Sequence, residues 1–252
     1  DDPVGRFLPE SGYAATTLRD LLAHTAGMQS EPVGSWWERS PGVDVATLLS
    51  TNDGSAAVGP RGAFHYSNLG YALLGEVLAR LRGESWWDVV STRVLAPLGM
   101  HATTYDGDAP AAQGWSVDHF AGTLTAEPHQ DTGAMAPAGQ LWSTVGDLAA
   151  FARFLAEGDP DVLAAETVAE MATPTSPTYG LGLWLLDLPS GRRLVGHPGS
   201  MPGFQASLFV DRESLDGTIV LASSTTGLDT DTVPGLLLGE TTLPAQDAWV
   251  PS

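Results

Sequence analysis

The sequence predicts an α+β fold, and three observations carry the prediction. Apolar residues at helical spacing dominate the chain up to about residue 175. From Tyr179 onward, short runs rich in Leu, Val and Phe separated by turn residues take over. Helices first and strands last is the α+β order, unlike the strict alternation that builds a parallel sheet. The expected division is a mainly helical lobe over residues 1–175, then an antiparallel strand meander with a C-terminal helix over 176–252.

The elements follow in order. Residues 1–15 read as an irregular lead-in broken by Pro3, Pro9 and Gly12. Thr17-x-x-Asp20 has the form of a capping box and opens a short helix with Leu18, Leu21 and Leu22 on one face. His24 falls at its end, where an imidazole is suited to the helix dipole and the free carbonyls; that is a structural role. Residues 29–60 are loop-rich, with one short helix expected over Val43–Ser50. The pair Trp36-Trp37 could line a cleft or fill core, and core is favoured.

The stretch Ala63–Thr104 organises the rest. Leu74, Val77, Leu78 and Leu81 recur at i, i+3, i+4 and i+7, and Gly83 closes that helix. Tyr66-Ser67-Asn68 stands at its entrance, where a phenol and a carboxamide can point into a cleft while the helix behind is held by apolar packing. Ser and Asn are also ordinary helix caps. Ser85-x-x-Asp88 starts the next helix, carrying Trp86, Trp87, Val90 and Val94, and Pro97 and Gly99 end it. Residues 105–142 show little periodicity and are expected to wander over the surface, with His119 and His129 as surface residues. Thr144-x-x-Asp147 opens a helix with Leu148, Phe151, Ala152 and Leu155 inward, and a further helix is expected over Asp161–Ala172. Strands are expected at Leu181–Leu188, Arg192–His197, Phe204–Val210 and Thr218–Ser223, then a helix near Thr230–Leu238 and a tail over Thr241–Ser252.

Composition limits what the protein does. At 252 residues and 43% hydrophobic, the chain can bury a sizeable core. No apolar run approaches the roughly 18 to 20 residues of a membrane span. A net charge of −19 argues against nucleic acid or anionic membranes as partners. There is no cysteine, so thiolate chemistry is excluded; no His-Glu-x-x-His or similar pattern points to a metal, and no cofactor is expected. Gly-x-Ser-x-Gly is also missing, which leaves no nucleophile elbow. All 11 basic residues are arginine.

Four segments together carry a resemblance. They are Asp1-Asp2-Pro3-Val4, Thr17-Leu18-Arg19-Asp20-Leu21-Leu22-Ala23-His24-Thr25-Ala26-Gly27-Met28, the Tyr66 segment with Pro97-Leu98-Gly99-Met100, and Gly196-His197-Pro198-Gly199-Ser200-Met201-Pro202-Gly203-Phe204. In order and spacing the chain resembles the serine β-lactamase and penicillin-binding-protein superfamily, in its class C-like branch of β-lactamases, D-alanyl-D-alanine carboxypeptidases, D-aminopeptidases and esterases. The resemblance implies a mainly antiparallel sheet flanked by helices plus a helical lobe, with the active site between them. It implies hydrolysis of an ester, an amide or a short D-peptide through an acyl-serine intermediate.

The same resemblance assigns residues. Tyr66 would relay protons between nucleophile and leaving group, its phenol acidified if a cation lies near. Asn68 would hold a substrate carbonyl, and the Ser200 N–H would be one oxyanion donor. His197 and Gly199 would contact substrate, His197 as a charge that depends on pH. Ala138–Thr144 would be a glycine-containing return to the site. Pro198 stands where a threonine is usual, which weakens the case for β-lactam hydrolysis and is tolerable only on a strand edge. Ser67 lacks a base at suitable spacing and is not expected to be the nucleophile.

A Ser-x-x-Lys motif, which in the family carries the nucleophile and its activating lysine, cannot exist in a chain without lysine. The expectation is therefore a partial chain whose N-terminal strands and nucleophile helix lie elsewhere in the gene product, and which alone does not acylate. The partners expected are a small-molecule or short-peptide substrate and that missing segment. The alternative is a non-catalytic scaffold of the same fold.

Overall fold

The computed structural model describes residues 1–56, 58–107, 110–118, 120–226, 229–230 and 232–240. The expectations for His119 and for the tail Thr241–Ser252 lie outside these. The helices are α1 (Leu18–Leu22), α2 (Val45–Thr51), α3 (Asn68–Arg82), α4 (Trp86–Val90, continued by a π turn over Ser91–Leu95), α5 (Val145–Glu157), α6 (Ala165–Met171) and α7 (Val233–Leu237).

Their starts follow the caps. Thr17 Oγ1 accepts from the Asp20 N–H at 3.1 Å, and the Asp20 carboxylate accepts from the Thr17 N–H at 3.1 Å, a closed capping box. Asp44, Ser67, Ser85 and Thr144 each accept from the backbone N–H three residues on. Such caps contribute about 1 kcal/mol each. Asp147 does not fold back on its own cap: it accepts from the Ala102 N–H and the Thr103 hydroxyl, both at 2.8 Å, and so ties α5 to the segment after α4.

The inward face of α3 differs from the expected one. Leu69, Ala72, Leu73 and Val77 are buried, whereas Leu81 is 57% exposed. The stripe is rotated because small residues let neighbours approach the helix: a Cβ on Gly75 would lie 2.1 Å from the Pro137 ring, in the 3₁₀ turn Ala136–Ala138. Gly83 ends α3 in the left-handed region at φ 69°. Helix α6 starts later than expected, because Asp159 instead bonds the Asp161 N–H in a turn.

The strands are β1 (Trp115–Asp118), β2 (Thr123–Ala126), β3 (Trp184–Asp187), β4 (Arg193–Met201), β5 (Phe204–Asp211) and β6 (Gly217–Ala222). The hairpin β1–β2, in the stretch expected to be irregular, is a correction. β3 to β6 form one antiparallel sheet in sequence order, the expected meander. β4 runs past His197 to Met201, paired with β5 through Met201↔Phe204, whereas β3 reaches only Gly196. Among the described residues, β4 from His197 onward has a strand on one side only. Pro198, which lacks an N–H, therefore sits where one row of ladder bonds is absent.

Three apolar clusters hold these elements. The first joins Val4, Leu8, Leu21, Met28, Leu69, Leu73 and Met135. The second packs Phe154, Leu155 and Val168 on Leu185, Val195, Leu208 and Val210. The third, Leu188, Leu194 and Phe209 with Leu238, uses the alternate residues of the same strands and lies on the other sheet face.

Candidate active site

The site begins with Ser67, whose three bonds fix its neighbours. Its hydroxyl accepts from the Gly70 N–H at 3.0 Å and donates to the Gln29 carbonyl at 2.6 Å, and its N–H donates to His24 Nδ1 at 3.0 Å. Ser67 is 1% exposed and is the cap of α3. Ser67 is extended at φ −141° and ψ 110°, so Tyr66 and Asn68 leave on the side away from its own buried hydroxyl.

Tyr66 lies in an aromatic nest. Its ring stacks on Trp184 at 6.1 Å and 21°, and sits 4.1 Å from the His24 ring. Its hydroxyl stands 3.4 Å from His197 Nε2. Burial, then the charges of Tyr71 and Glu31, push the phenol pKa well above its usual value. The expected acidification requires a neighbouring cation. The chain supplies no lysine, so desolvation of the phenolate is the dominant effect.

His197 is engaged at both ring nitrogens. Its Nδ1 donates to the Pro198 carbonyl, its Nε2 faces Tyr66 and Tyr179, and burial lowers its pKa. The lowered pKa favours the neutral imidazole and moves its pH-dependent charge to more acidic conditions.

Asn68 opens a second set of contacts. Its Nδ2 donates to Glu31 Oε1 at 2.8 Å, and Glu31 Oε2 accepts from Trp37 Nε1 at 2.6 Å. A Cβ on Gly139 would lie 3.3 Å from Met201 Sδ and 3.8 Å from the Trp37 ring. The Gly139 return, the Glu31–Trp37 loop, the start of α3 and the end of β4 thus form one continuous wall. Ser200 is exposed and lies three residues along β4 from His197, about 10 Å at strand spacing, with Gly199 between them. The geometry brings Tyr66 and His197 into contact. Asn68 and Ser200 border the same wall without bonding to each other.

Residues 1–239 match the family model described as Beta-lactamase. The chain belongs to the β-lactamase family. It is similar to a penicillin-binding protein of Bacillus subtilis (strain 168), 25% identical over 233 residues, covering 82% of this chain and 51% of the relative. The octameric penicillin-binding protein homologue from Pyrococcus abyssi superposes with a TM-score of 0.83 at 26% identity, covering 97% of this chain and 62% of that one. A D-stereospecific amidohydrolase from Streptomyces sp. superposes at 0.76, also 26% identical, covering 89% and 74%. The fold is thus the β-lactamase/transpeptidase-like α+β fold the resemblance implied. The chain spans about half the length of the curated relatives it matches.

Several residues of this β-lactamase-family wall were not marked in the sequence. Glu31 follows an unpatterned loop, and only its partners reveal it. Tyr179 is 0% exposed and touches the His24, Phe64, Tyr66, Trp184 and His197 rings, yet it precedes the strands without any motif. His24 is structural as expected, for a different reason: it is 1% exposed, and burial followed by the charges of His197 and His65 holds its pKa at about 3, so it meets the helix end uncharged. Of the two tryptophans, Trp37 is core at 7% exposed, whereas Trp36 is 60% exposed over the Arg39 guanidinium. His129 is exposed, as expected, 3.5 Å from Asp106 and against the Trp142 ring.

Proposed function

We propose that the chain forms the Tyr-x-Asn and His-x-Gly walls of a serine hydrolase that cleaves ester or amide bonds, including those of short D-amino-acid peptides, through an acyl-serine intermediate. The observation that carries the reading is the meeting of the Tyr66 hydroxyl and His197 at 3.4 Å, across the start of α3 and the free half of β4. In this reading Tyr66 passes a proton from nucleophile to leaving group, Asn68 orients the substrate carbonyl, and the Ser200 N–H helps bind the oxyanion. His197 and Gly199 line the substrate strand. The amidohydrolase similarity supports an acyl-transfer chemistry of this type.

Substrates without a carboxylate suit the wall better than penicillins. His197 is neutral, and Glu31 brings negative charge beside Asn68. Because the chain has no lysine, a Ser-x-x-Lys pair would have to come from sequence beyond these 252 residues, and the chain by itself would not acylate. Residues 1–175 and 176–252 serve as the two lobes that face each other across this site.

The test is turnover of p-nitrophenyl esters and D-amino-acid amides by the complete gene product. Hydrolysis that depends on Tyr66 supports the reading. A complete product that binds these compounds without turning them over would instead mark a non-catalytic scaffold.

A further inference from the structure

His24 has more bonds to the site than a core residue needs. It is a non-glycine residue in the left-handed region, at φ 55°, a conformation held only where the surroundings impose it. What imposes it is the Tyr66 segment. The His24 carbonyl accepts from the His65 N–H at 2.8 Å, and its Nδ1 accepts from the Ser67 N–H at 3.0 Å.

The second bond fixes the tautomer. A backbone N–H can only donate, so Nδ1 carries the lone pair and the proton sits on Nε2. That Nε2–H points at the Tyr179 hydroxyl oxygen, 3.1 Å away. Tyr179 must then send its own proton onward, and His197 Nε2 lies 3.4 Å from its hydroxyl. Tyr71, on the flank, donates its hydroxyl to the Leu22 carbonyl at 3.1 Å and keeps lone pairs toward Tyr179, but the imidazole nitrogen of His197 is the stronger acceptor for the Tyr179 proton. His197 is fixed from its far side in the same manner: the Pro198 carbonyl can only accept, so Nδ1 holds the proton and Nε2 is the lone pair. That single lone pair faces two phenols, Tyr179 and Tyr66, each at 3.4 Å.

We infer that His24 and Tyr179 are positioning residues of this site: a one-way chain from the Ser67 N–H through His24 and Tyr179 fills the His197 lone pair and leaves the Tyr66 hydroxyl for the reacting group. The chain joins the loop after α1, the segment before β3 and β4, so all three must be in place before Tyr66 is free to act. The part given to Tyr66 rests on the hydrolase reading; the direction of the chain does not.

The experiment reads the ring nitrogens of uniformly ¹⁵N-labelled protein by long-range proton–nitrogen NMR at neutral pH, with no substrate present. The groups that face His197 are Tyr66, Tyr179 and, through space, His24, so each is varied in turn. The expected spectrum shows His24 protonated on Nε2 and His197 protonated on Nδ1. Tyr179→Phe should move the His197 Nε2 signal downfield as it loses a donor, and Tyr66→Phe should leave that signal in place. His24→Asn, which keeps an acceptor for the Ser67 N–H but cannot reach Tyr179, should move it in the same direction as Tyr179→Phe. A His24 protonated on Nδ1, or a His197 signal that answers to Tyr66→Phe and not to Tyr179→Phe, would overturn the inference. Both phenylalanine variants keep the buried ring, so the comparison holds even if the His24 variant does not fold. A failed substrate screen would count against the hydrolase reading alone.

Discussion

The Tyr66 hydroxyl and His197 Nε2 stand 3.4 Å apart although 131 residues separate them in sequence. The contact closes the space between the entrance of α3 and the half of β4 that β3 does not cover. It sets a half-buried phenol against a half-buried imidazole whose pKa desolvation lowers.

On the proposed reading, replacing Tyr66 by Phe removes the hydroxyl assigned to proton relay. If the complete gene product hydrolyses esters as proposed, kcat/KM should fall by roughly 10²- to 10⁴-fold, the usual contribution of a general acid–base group. The Tm should hardly move, because the ring keeps its packing. Steady-state kinetics with an ester substrate and a thermal melt check the two halves.

Acid should weaken the fold through His24. Its folded pKa of about 3 lies below the unfolded value of 6.5. The unfolded chain therefore binds the proton first, and stability is full above pH 6.5 and declines as pH falls towards 3. At full difference the slope is about 1.4 kcal/mol per pH unit. Burial depresses His197 in the same direction. Urea titrations between pH 7.5 and 4.5 should show the decline, and Tyr66→Phe should not abolish it.

Ser67→Ala should destabilise by about 1–2 kcal/mol, because it strips the cap of α3 and strands the Gly70 N–H in a buried place. The urea midpoint reads this. Ser67→Thr, which keeps the hydroxyl, should recover part of the loss.

Gly75→Ala should cost about 1–3 kcal/mol, although alanine is the better helix former, because the added methyl meets the rigid Pro137 ring at 2.1 Å. A neutral or stabilising effect in urea unfolding would show that the 3₁₀ turn can move aside.

Much of the fold is legible because its signals are local. Thr17 and Asp20 announce α1 by their spacing, and Ser190-Gly191 separates β3 from β4. The β1–β2 hairpin escaped because its strands are mostly exposed and show no apolar alternation. The inward stripe of α3 was misplaced because Gly70, Ala72 and Gly75, not the larger leucines, decide which side a neighbour can approach. At the site, Tyr66 and His197 each stand in a recognisable motif. Glu31, His24 and Tyr179 do not reveal their parts in the sequence, because the bonds that define them cross 37, 43 and 155 residues.

The most direct measurement is mass spectrometry after treatment with a fluorophosphonate probe, made on the 252-residue chain and on the complete gene product side by side. A single adduct is expected on the complete product, at a serine followed three residues later by lysine, and none on the chain alone. An adduct on a serine within the chain, or a complete product that takes no label, would contradict it.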